Sequence, residues 1–202
     1  MDAYVTVAAP ATHRITRTRS RFLAIVSPAD SVESVTDQLE AARRAHHDAT
    51  HHCHAYRILD GSQLLEGSQD DGEPAGSAGA PMLAQLSGRQ LCNVLAIVIR
   101  RYGGSPLGVG GLIRAYSDAV SGALDLASLV RRECRIHVVL RFPAEVNGGV
   151  LSTLHRFPVT VEALVYEDPV HLELAASPSQ IERLRTALID ATGARVEWEV
   201  AA

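Results

Sequence analysis

The 202-residue chain has little of several residue types, and each shortage argues against a class of protein. Aromatic residues make up only 4%, too few for a surface that holds single-stranded nucleic acid by serial base stacking. No uninterrupted run reaches the roughly 18 apolar residues that a membrane-spanning helix needs. The first 25 residues contain four arginines and no apolar core, which is unlike a secretory signal. We therefore expect a soluble, cytoplasmic protein without a membrane partner.

Cysteine and lysine are scarce as well. The three cysteines, Cys53, Cys92 and Cys134, lie far apart in the sequence, which argues against a secreted disulfide framework and for a reducing compartment. Lysine is absent, so arginine supplies all 19 cations against 23 carboxylates, for a formal net charge of -4. Because the chain has no global basic field, binding of nucleic acid would need a local basic patch.

Hydrophobic periodicity predicts an α+β protein of two domains, 1–130 and 131–202. Ser31 is the expected N-cap of the first helix. The polar, glycine-rich segment 60–81 is too long for a simple turn and is expected to be functional or mobile. In the first domain, the pattern predicts strands at 4–8, 21–26, 53–59 and 93–99, and helices at 32–48, 82–86 and from 112 onward.

The second domain has the order β-α-β-β-α-β, which is typical of a ferredoxin-like sandwich of about 70 residues. The segment Ser177-Pro178-Ser179-Gln180 has the composition of a capping box, and Gly193 is the expected end of the helix that follows. Strands are predicted at 136–142, 159–166, 171–175 and 195–200, and a further helix at 145–155.

The most distinctive segment is RRYGGSPLGVGGLIRAY at residues 100–116, a glycine-rich loop between a buried strand and a strong helix. Glycine lets a backbone approach a ligand closely, and the first turn of a helix offers unpaired N–H groups, which together suit a phosphate. A tight strand-to-helix crossover explains the glycines equally well, and the spacing matches neither common nucleotide-binding motif. The candidate anion or nucleic-acid site comprises Arg100, Arg101, Gly103, Gly104, Gly108, Gly110, Gly111 and Arg114.

A second segment, DDGEP at residues 70–74, places three carboxylates within four positions. Carboxylates so spaced can hold Mg²⁺, accept guanidinium groups from Arg100 and Arg114, or cap a turn and the next helix. Capping or ion pairing is the favoured interpretation, and we predict no metal. The residues of this acidic loop are Asp70, Asp71, Gly72, Glu73 and Pro74.

Histidines surround Cys53 in the segment 46–54, which raises the hypothesis of a zinc site. In an extended segment, however, His52 and His54 share one face while Cys53 points to the other, so no tetrahedral ligand set arises locally. We predict solvated or packed histidines, with no metal and no cofactor.

Arginines also alternate near the start of the chain. In one extended segment, Arg17, Arg19 and Arg21 would share a face, which suits a track for phosphates. A charged edge strand protected against aggregation explains them as well, and it is the interpretation that we favour.

Together these segments resemble the IMPACT family, in its bacterial, YigZ-like branch. The resemblance rests on ATHHCHAY at 49–56, the acidic loop, and the pattern R-x-Y-G-G-x-x-L-G-x-G-G-L-x-R-A-Y, which occur in this order within residues 15–127. Residues 132–202 resemble the small C-terminal domain of bacterial members. The resemblance implies an N-terminal domain like the second domain of ribosomal protein S5, followed by a ferredoxin-like domain.

The resemblance also implies a role in translation. Eukaryotic members are linked to control of translation initiation through the general-control stress kinase pathway, and bacterial members have been suggested to bind nucleic acid or ribosomes. We therefore expect a non-catalytic regulatory protein that binds structured RNA, the ribosome or an acidic translation-regulatory protein. The alternative is an enzyme that binds a nucleotide or another phosphorylated ligand; no catalytic residue is predicted.

Overall fold

The computed structural model describes residues 2–61 and 63–200, which form two compact units. One unit is Val5–Arg132, and the other combines residues 2–4 with residues 133–200. The strands are β1 (Ala3–Val7), β2 (Ala11–Arg17), β3 (Ser20–Pro28), β4 (His51–Asp60), β5 (Gln63–Gln69), β6 (Val94–Arg101), β7 (Leu129–Glu133), β8 (Ile136–Phe142), β9 (Val159–Val165), β10 (Val170–Ala176) and β11 (Glu197–Val200). The helices are α1 (Val32–Ala45), α2 (Gly79–Gly88), α3 (Gly108–Leu126), α4 (Asn147–Leu154) and α5 (Pro178–Thr192), with a 3-10 turn at Ala144–Val146.

Strand β6 is the middle of an antiparallel sheet with the order β2-β3-β6-β4-β5. Its residues 94–99 are apolar and buried, as expected for a strand that is covered on both faces. In β3, Phe22 and Ala24 pack in a core with α2 and α3, whereas Leu23 packs in a second core with α1. Successive residues of β3 therefore point to opposite faces of the sheet, and each face has a core that helices cover.

The edge strand β5 lies where no strand was predicted, whereas β2, which holds Arg14 and Arg17, agrees with the charged edge strand favoured above, although its bounds were not predicted. Both are rich in polar residues, because an edge strand has one hydrogen-bonded neighbour and a largely solvated outer side. The apolar residues are too few to produce a clear period of two. The segment 60–81 is therefore not one long loop: it holds β5, the acidic loop and the start of α2.

The hairpin between β2 and β3 corrects the predicted face of the arginines. Thr18 and Arg19 form its two-residue turn and have φ values of 47° and 66°, in the left-handed region that suits a tight hairpin. Arg17 then lies opposite Ser20, and Arg21 lies opposite Thr16. Because neighbours in one strand alternate between faces, Arg17 and Arg21 lie on opposite faces of the sheet, and the prediction of one shared face is wrong.

The second unit contains a four-stranded antiparallel sheet with the order β11-β8-β10-β9, and α4 and α5 pack on one of its faces. Along β8, Val138, Leu140 and Phe142 point into this core. The element order is the one that the sequence predicted, so the α+β class and the ferredoxin-like arrangement are confirmed. Strands β1 and β7 form a separate two-stranded sheet.

The start of α5 differs from the predicted capping box. The Ser177 side chain forms no capping hydrogen bond with the helix. The Asp2 carboxylate accepts hydrogen bonds instead from the Ser179 N–H at 3.0 Å and the Ser179 hydroxyl at 2.6 Å. These bonds hold the pKa of Asp2 below its usual value. Two other predicted caps are confirmed: Ser31 caps α1, and Gly193 ends α5 in the left-handed conformation.

Among residues 2–61 and 63–200, each helix falls short of the combination of length and apolar character that crossing a lipid bilayer requires.

Candidate functional site

Arg100, near the end of β6, points into the core beneath α3 and is only 4% exposed. Its Nη1 atom donates to Oε1 of Glu73 at 2.5 Å, and its Nη2 atom donates to Oγ of Ser20 at 3.3 Å. The guanidinium also lies 5.4 Å from the ring centre of Phe22 and 5.3 Å from that of Tyr102. Arg100 is thus neutralised inside the protein, and its position does not suit contact with an external anion.

Glu73 connects three elements through one oxygen atom. Besides Arg100, its Oε1 accepts a hydrogen bond from the Tyr116 hydroxyl of α3 at 2.7 Å and lies 3.8 Å from Nε2 of His51. Sγ of Cys53 in β4 lies 3.3 Å from the Tyr116 hydroxyl oxygen and 3.0 Å from the Asp70 backbone oxygen, and these two oxygens compete for its single proton. A hydrogen-bonded chain therefore runs from β4 through α3 and the acidic loop to β6.

The thiol and phenol in this chain stay protonated. Burial raises the pKa of Cys53 to about 12, and the negative charge of the nearby Glu73 acts in the same direction. Burial also raises the pKa of Tyr116, and the neighbouring Cys53 and Glu73 raise it further. Cys53 is therefore poorly suited to act as a nucleophile, which requires the thiolate.

Asp70 organises the acidic loop and the start of α2. Its two oxygens accept backbone N–H bonds from Gly76 at 2.7 Å, Ala78 at 2.9 Å and Gly79 at 2.8 Å. Burial alone would raise the pKa of Asp70, but these three donors together hold it below its usual value. The carboxylate thus acts as the side-chain cap of α2, which Ala78 at the N-cap position cannot provide.

Asp71 connects the other side of the acidic loop to β4 through hydrogen bonds. Its Oδ2 accepts the backbone N–H of His52 at 2.6 Å, its Oδ1 accepts from Arg43 at 3.1 Å, and its backbone oxygen accepts from His51 Nδ1 at 2.8 Å. Asp71 and Gly72 both have positive φ, 46° and 88°. The Pro74 carbonyl accepts the N–H of Ser77 at 3.0 Å, so the loop is closed by its own contacts.

A metal-binding role has no support in the described part of the chain. Residues 2–61 and 63–200 contain no group of three or more histidine, cysteine or acidic side chains that could hold an ion. Cys53 packs with the α2 and α3 core, and His54 stacks on Tyr56 beside the α1 core. The two residues therefore point to opposite faces of β4, as the alternation of a strand predicts.

Arg101 lies on the other face of the sheet from Arg100. Its Nε and Nη2 atoms donate to the two carboxylate oxygens of Asp48 at 2.9 and 2.7 Å, a bidentate pair. The hydrogen bonds from Arg101 lower the pKa of Asp48 to about 2. The structure therefore does not bring Arg100 and Arg101 together, and each already has a carboxylate partner.

The glycines of the loop fall into two groups. A Cβ atom on Gly103 would come within 2.2 Å of the Arg19 carbonyl carbon, and Gly104 and Gly108 have φ values of 82° and 68°. Chain geometry alone accounts for these three. At Gly110 a Cβ atom would meet nothing, and at Gly111 it would come 3.1 Å from Leu107.

The start of α3 is the part of the predicted anion site that is open to a partner. Its N-cap residue, Leu107, offers no side-chain hydrogen bond, and Gly108 and Gly110 of the first turn are exposed. Arg114, one turn further on, is exposed and forms no ion pair with any residue that the structure describes. Val109 and Ile113 lie on the same turn and are 52% and 39% exposed. This surface thus combines free backbone donors, one unpaired guanidinium and an apolar margin.

Four residues that contact the two motifs were not predicted as their partners: Ser20, Phe22, Cys53 and Tyr116. Tyr116 had a detectable signal, because it closes the glycine-rich pattern and also falls on the buried stripe of α3. Ser20 and Phe22 had none, since only the pairing of β3 with β6 brings them near Arg100.

Comparison with known proteins identifies the family. The model of the Impact N-terminal domain matches residues 18–124, more than half of the chain and the whole of both motifs. The chain belongs to the IMPACT family. It is 35% identical to the IMPACT family member YigZ of Escherichia coli over 192 residues, 94% of each chain. It is 37% identical to YvyE of Bacillus subtilis over 175 residues, 86% of this chain and 79% of that one.

A solved structure that covers the full length of this chain supports the fold. The crystal structure of a protein described as hypothetical superposes with a TM-score of 0.72 at 31% identity, covering 100% of this chain and 98% of that chain. The likeness to IMPACT proteins thus spans both units, and the resemblance of residues 132–202 to the second domain of bacterial members agrees with it.

Proposed function

We propose that this IMPACT protein is a non-catalytic regulator associated with translation, which holds phosphate groups of structured RNA, in the ribosome or outside it, at the start of α3. Support for the link to translation is its membership of a family whose eukaryotic members are linked to control of initiation. The observation that carries the phosphate contact is the exposed first turn of α3 with Arg114 beside it, free of any carboxylate among the described residues.

Structured RNA suits this surface better than a flexible single strand does. Contacts to an RNA backbone come from guanidinium groups and backbone N–H donors, and they do not require reading a base. Residues 5–132 contain thirteen arginines against twelve carboxylates, whereas residues 133–200 contain six against ten. The balance of charge therefore favours the first unit as the one that meets a polyanion.

Ribosome co-sedimentation across a salt series tests this proposal. We compare the intact protein with Arg114→Gln and with Arg183→Gln, an exposed arginine of α5 in the second unit, as the charge-matched control. Removing one phosphate contact should weaken binding and make the salt slope shallower by about 1, while the control keeps both. An unchanged slope for Arg114→Gln would remove α3 from the interface.

A second candidate is an acidic protein segment at the same surface, which the exposed Val109 and Ile113 beside Arg114 favour. Apolar side chains next to a guanidinium suit a protein partner, because buried apolar anchors carry most of the energy of protein interfaces. Capture of a partner that survives nuclease treatment and is lost in Val109→Ser/Ile113→Ser would favour the protein over RNA.

The alternative of a nucleotide-binding enzyme has its own measurement. A ligand that binds only the folded state stabilises it by RT ln(1 + L/Kd), where L is the free ligand concentration, so the melting temperature rises with the ligand concentration. We expect ATP with Mg²⁺ to leave the melting temperature unchanged. A clear rise at millimolar ATP would favour the enzyme.

A further inference from the structure

Three arginines lie side by side on the α1 face of the first sheet. Arg21 of β3 is directly opposite Arg101 of β6 and directly opposite Thr16 of β2. Arg14 of β2 lies two residues from Thr16, hence on the same face and diagonal to Arg21, at a typical separation of about 7–8 Å. The row therefore crosses three neighbouring strands.

Like charges placed directly opposite each other on paired strands are destabilising unless an opposite charge neutralises one of them. Asp48 neutralises Arg101 through an ion pair. Arg14 and Arg21 are exposed, and neither forms an ion pair with a residue that the structure describes. On the other face of the same hairpin, Arg17 does have a partner, Asp118 at 3.1 Å. The α1 face thus keeps two exposed cations that no carboxylate in the described part of the chain neutralises.

Protection of an edge strand does not account for this arrangement. Charged side chains on edge strands prevent pairing with other chains, and Arg14 lies on the edge strand β2. Arg21, however, lies on β3, which is paired on both sides, by β2 and β6. A charge at an interior position blocks no free edge, so the pair of arginines calls for another explanation.

We propose that Arg14 and Arg21, which we name the basic strip, bind consecutive phosphates of a structured RNA; the class of partner rests on the proposed function, but the surface is distinct from α3. Arginine forks match phosphate oxygens bidentately. The exposed hydroxyls of Thr12 and Thr16 alternate with Arg14 along β2 and add donors of the kind that contact nucleic-acid backbones.

The composition of the strip favours RNA over an acidic protein. Within the described part of the hairpin, no large apolar side chain is strongly exposed on β2 or β3. Protein interfaces depend on buried aromatic or aliphatic anchors, which this surface does not provide. Contacts to a phosphate backbone need only charge and hydrogen-bond donors.

The test is fluorescence anisotropy of the full chain with a labelled RNA hairpin of about 20 base pairs, long enough to offer a continuous duplex backbone, measured across a salt series. Arg14→Gln/Arg21→Gln is compared with the charge-matched Arg183→Gln/Arg185→Gln of α5, and each protein is first shown to melt like the wild type. The strip variant should bind on the order of tenfold more weakly, with a salt slope shallower by about 2, while the control changes neither. Arg14→Lys/Arg21→Lys keeps both charges and should retain the slope.

Each other outcome overturns the proposal that the strip binds RNA. Equal weakening by the two glutamine pairs would indicate a response to net charge alone. If Arg14→Gln/Arg21→Gln binds RNA as tightly as the wild type while Arg114→Gln loses binding, the RNA contact lies at α3. The proposed function would then stand, and the strip would not be part of the interface. No binding of RNA by the wild type would reject both. If polyglutamate binds instead and the strip variant loses it, the partner is an acidic protein.

Discussion

Nη1 of Arg100 lies 2.5 Å from Oε1 of Glu73, and both side chains are almost fully buried. The two residues are 27 positions apart, one at the end of β6 and one in the acidic loop. The acidic loop and the glycine-rich segment, the two motifs that identify the family, therefore contact each other inside the protein through this ion pair. The acidic loop neutralises the arginine that the sequence alone would offer to a ligand, and it leaves Arg114 outside as the free guanidinium of the glycine-rich segment.

Glu73→Gln should lower the free energy of unfolding by about 3–5 kcal/mol, because it removes one partner of a buried ion pair and leaves the Arg100 charge uncompensated. Urea denaturation measures the change. Glu40→Gln is the control: Glu40 pairs with Arg44 on the exposed side of α1, so the cost should be below about 0.5 kcal/mol. Equal losses of unfolding free energy in the two variants would show that the buried pair stabilises the protein no more than an exposed pair does.

Cys53 should resist thiol reagents in the folded protein. With a pKa raised to about 12 by burial, its thiolate is a very small fraction at pH 8, and its sulfur is also shielded from solvent. Limited labelling with iodoacetamide followed by mass spectrometry should modify Cys134 first, because it is less buried, and Cys53 only after unfolding in urea. Labelling of Cys53 at the rate of Cys134 in the native protein would contradict this assignment.

Two glycines of the glycine-rich segment should differ in how substitution by alanine changes the stability of the protein. Gly103→Ala should destabilise the protein by more than about 2 kcal/mol, because its Cβ would collide with the Arg19 backbone. Gly110→Ala should be neutral or stabilising by up to about 1 kcal/mol, since it lies within α3 and its Cβ would meet open space. Thermal melts compare the two, and equal losses would mean that the close approach at Gly103 is relaxed easily.

The order of the elements could be predicted wherever a segment buries a continuous face. The apolar residues 94–99 and the stripe of α3 indicated a central strand and a core helix, and both are present. The bounds of β2 and the whole of β5 escaped prediction because edge strands keep few apolar residues. The turn at Thr18 and Arg19 escaped it as well, since neither is the glycine or asparagine that usually marks a left-handed turn.

The sequence pointed to the two motifs but not to how their side chains are arranged. Alternation along β6 places Arg100 and Arg101 on opposite faces, a consequence that was not drawn when both were grouped in one predicted site. The sequence alone does not say which of them faces the acidic loop. The choice between Arg100 and Arg114 as the partner of Glu73 depended on contacts across the fold, which local patterns do not encode. Positions of this kind become predictable only after the pairing of β3, β6 and β4 is known.

Stability should fall as the pH drops from about 7.5 to 5. Burial lowers the pKa of His52 and of His54, an effect that the nearby Asp71 only partly opposes. Below an ordinary pKa near 6.5, the unfolded chain therefore binds more protons at these positions than the folded chain does. In the folded chain Nε2 of His52 and Nδ1 of His54 are buried and have no hydrogen-bond partner among residues 2–61 and 63–200, so no neighbour there compensates their protonation.

Urea denaturation at pH 7.5, 6.5 and 5 measures this dependence. His52→Gln/His54→Gln should flatten it, because the variant has no group at these positions that gains a proton on unfolding. His47→Gln, which changes an exposed histidine just after α1, should keep the slope of the wild type. A slope that survives the double substitution would assign the pH dependence to other groups, and His54→Gln alone gives a second reading if the double variant folds poorly.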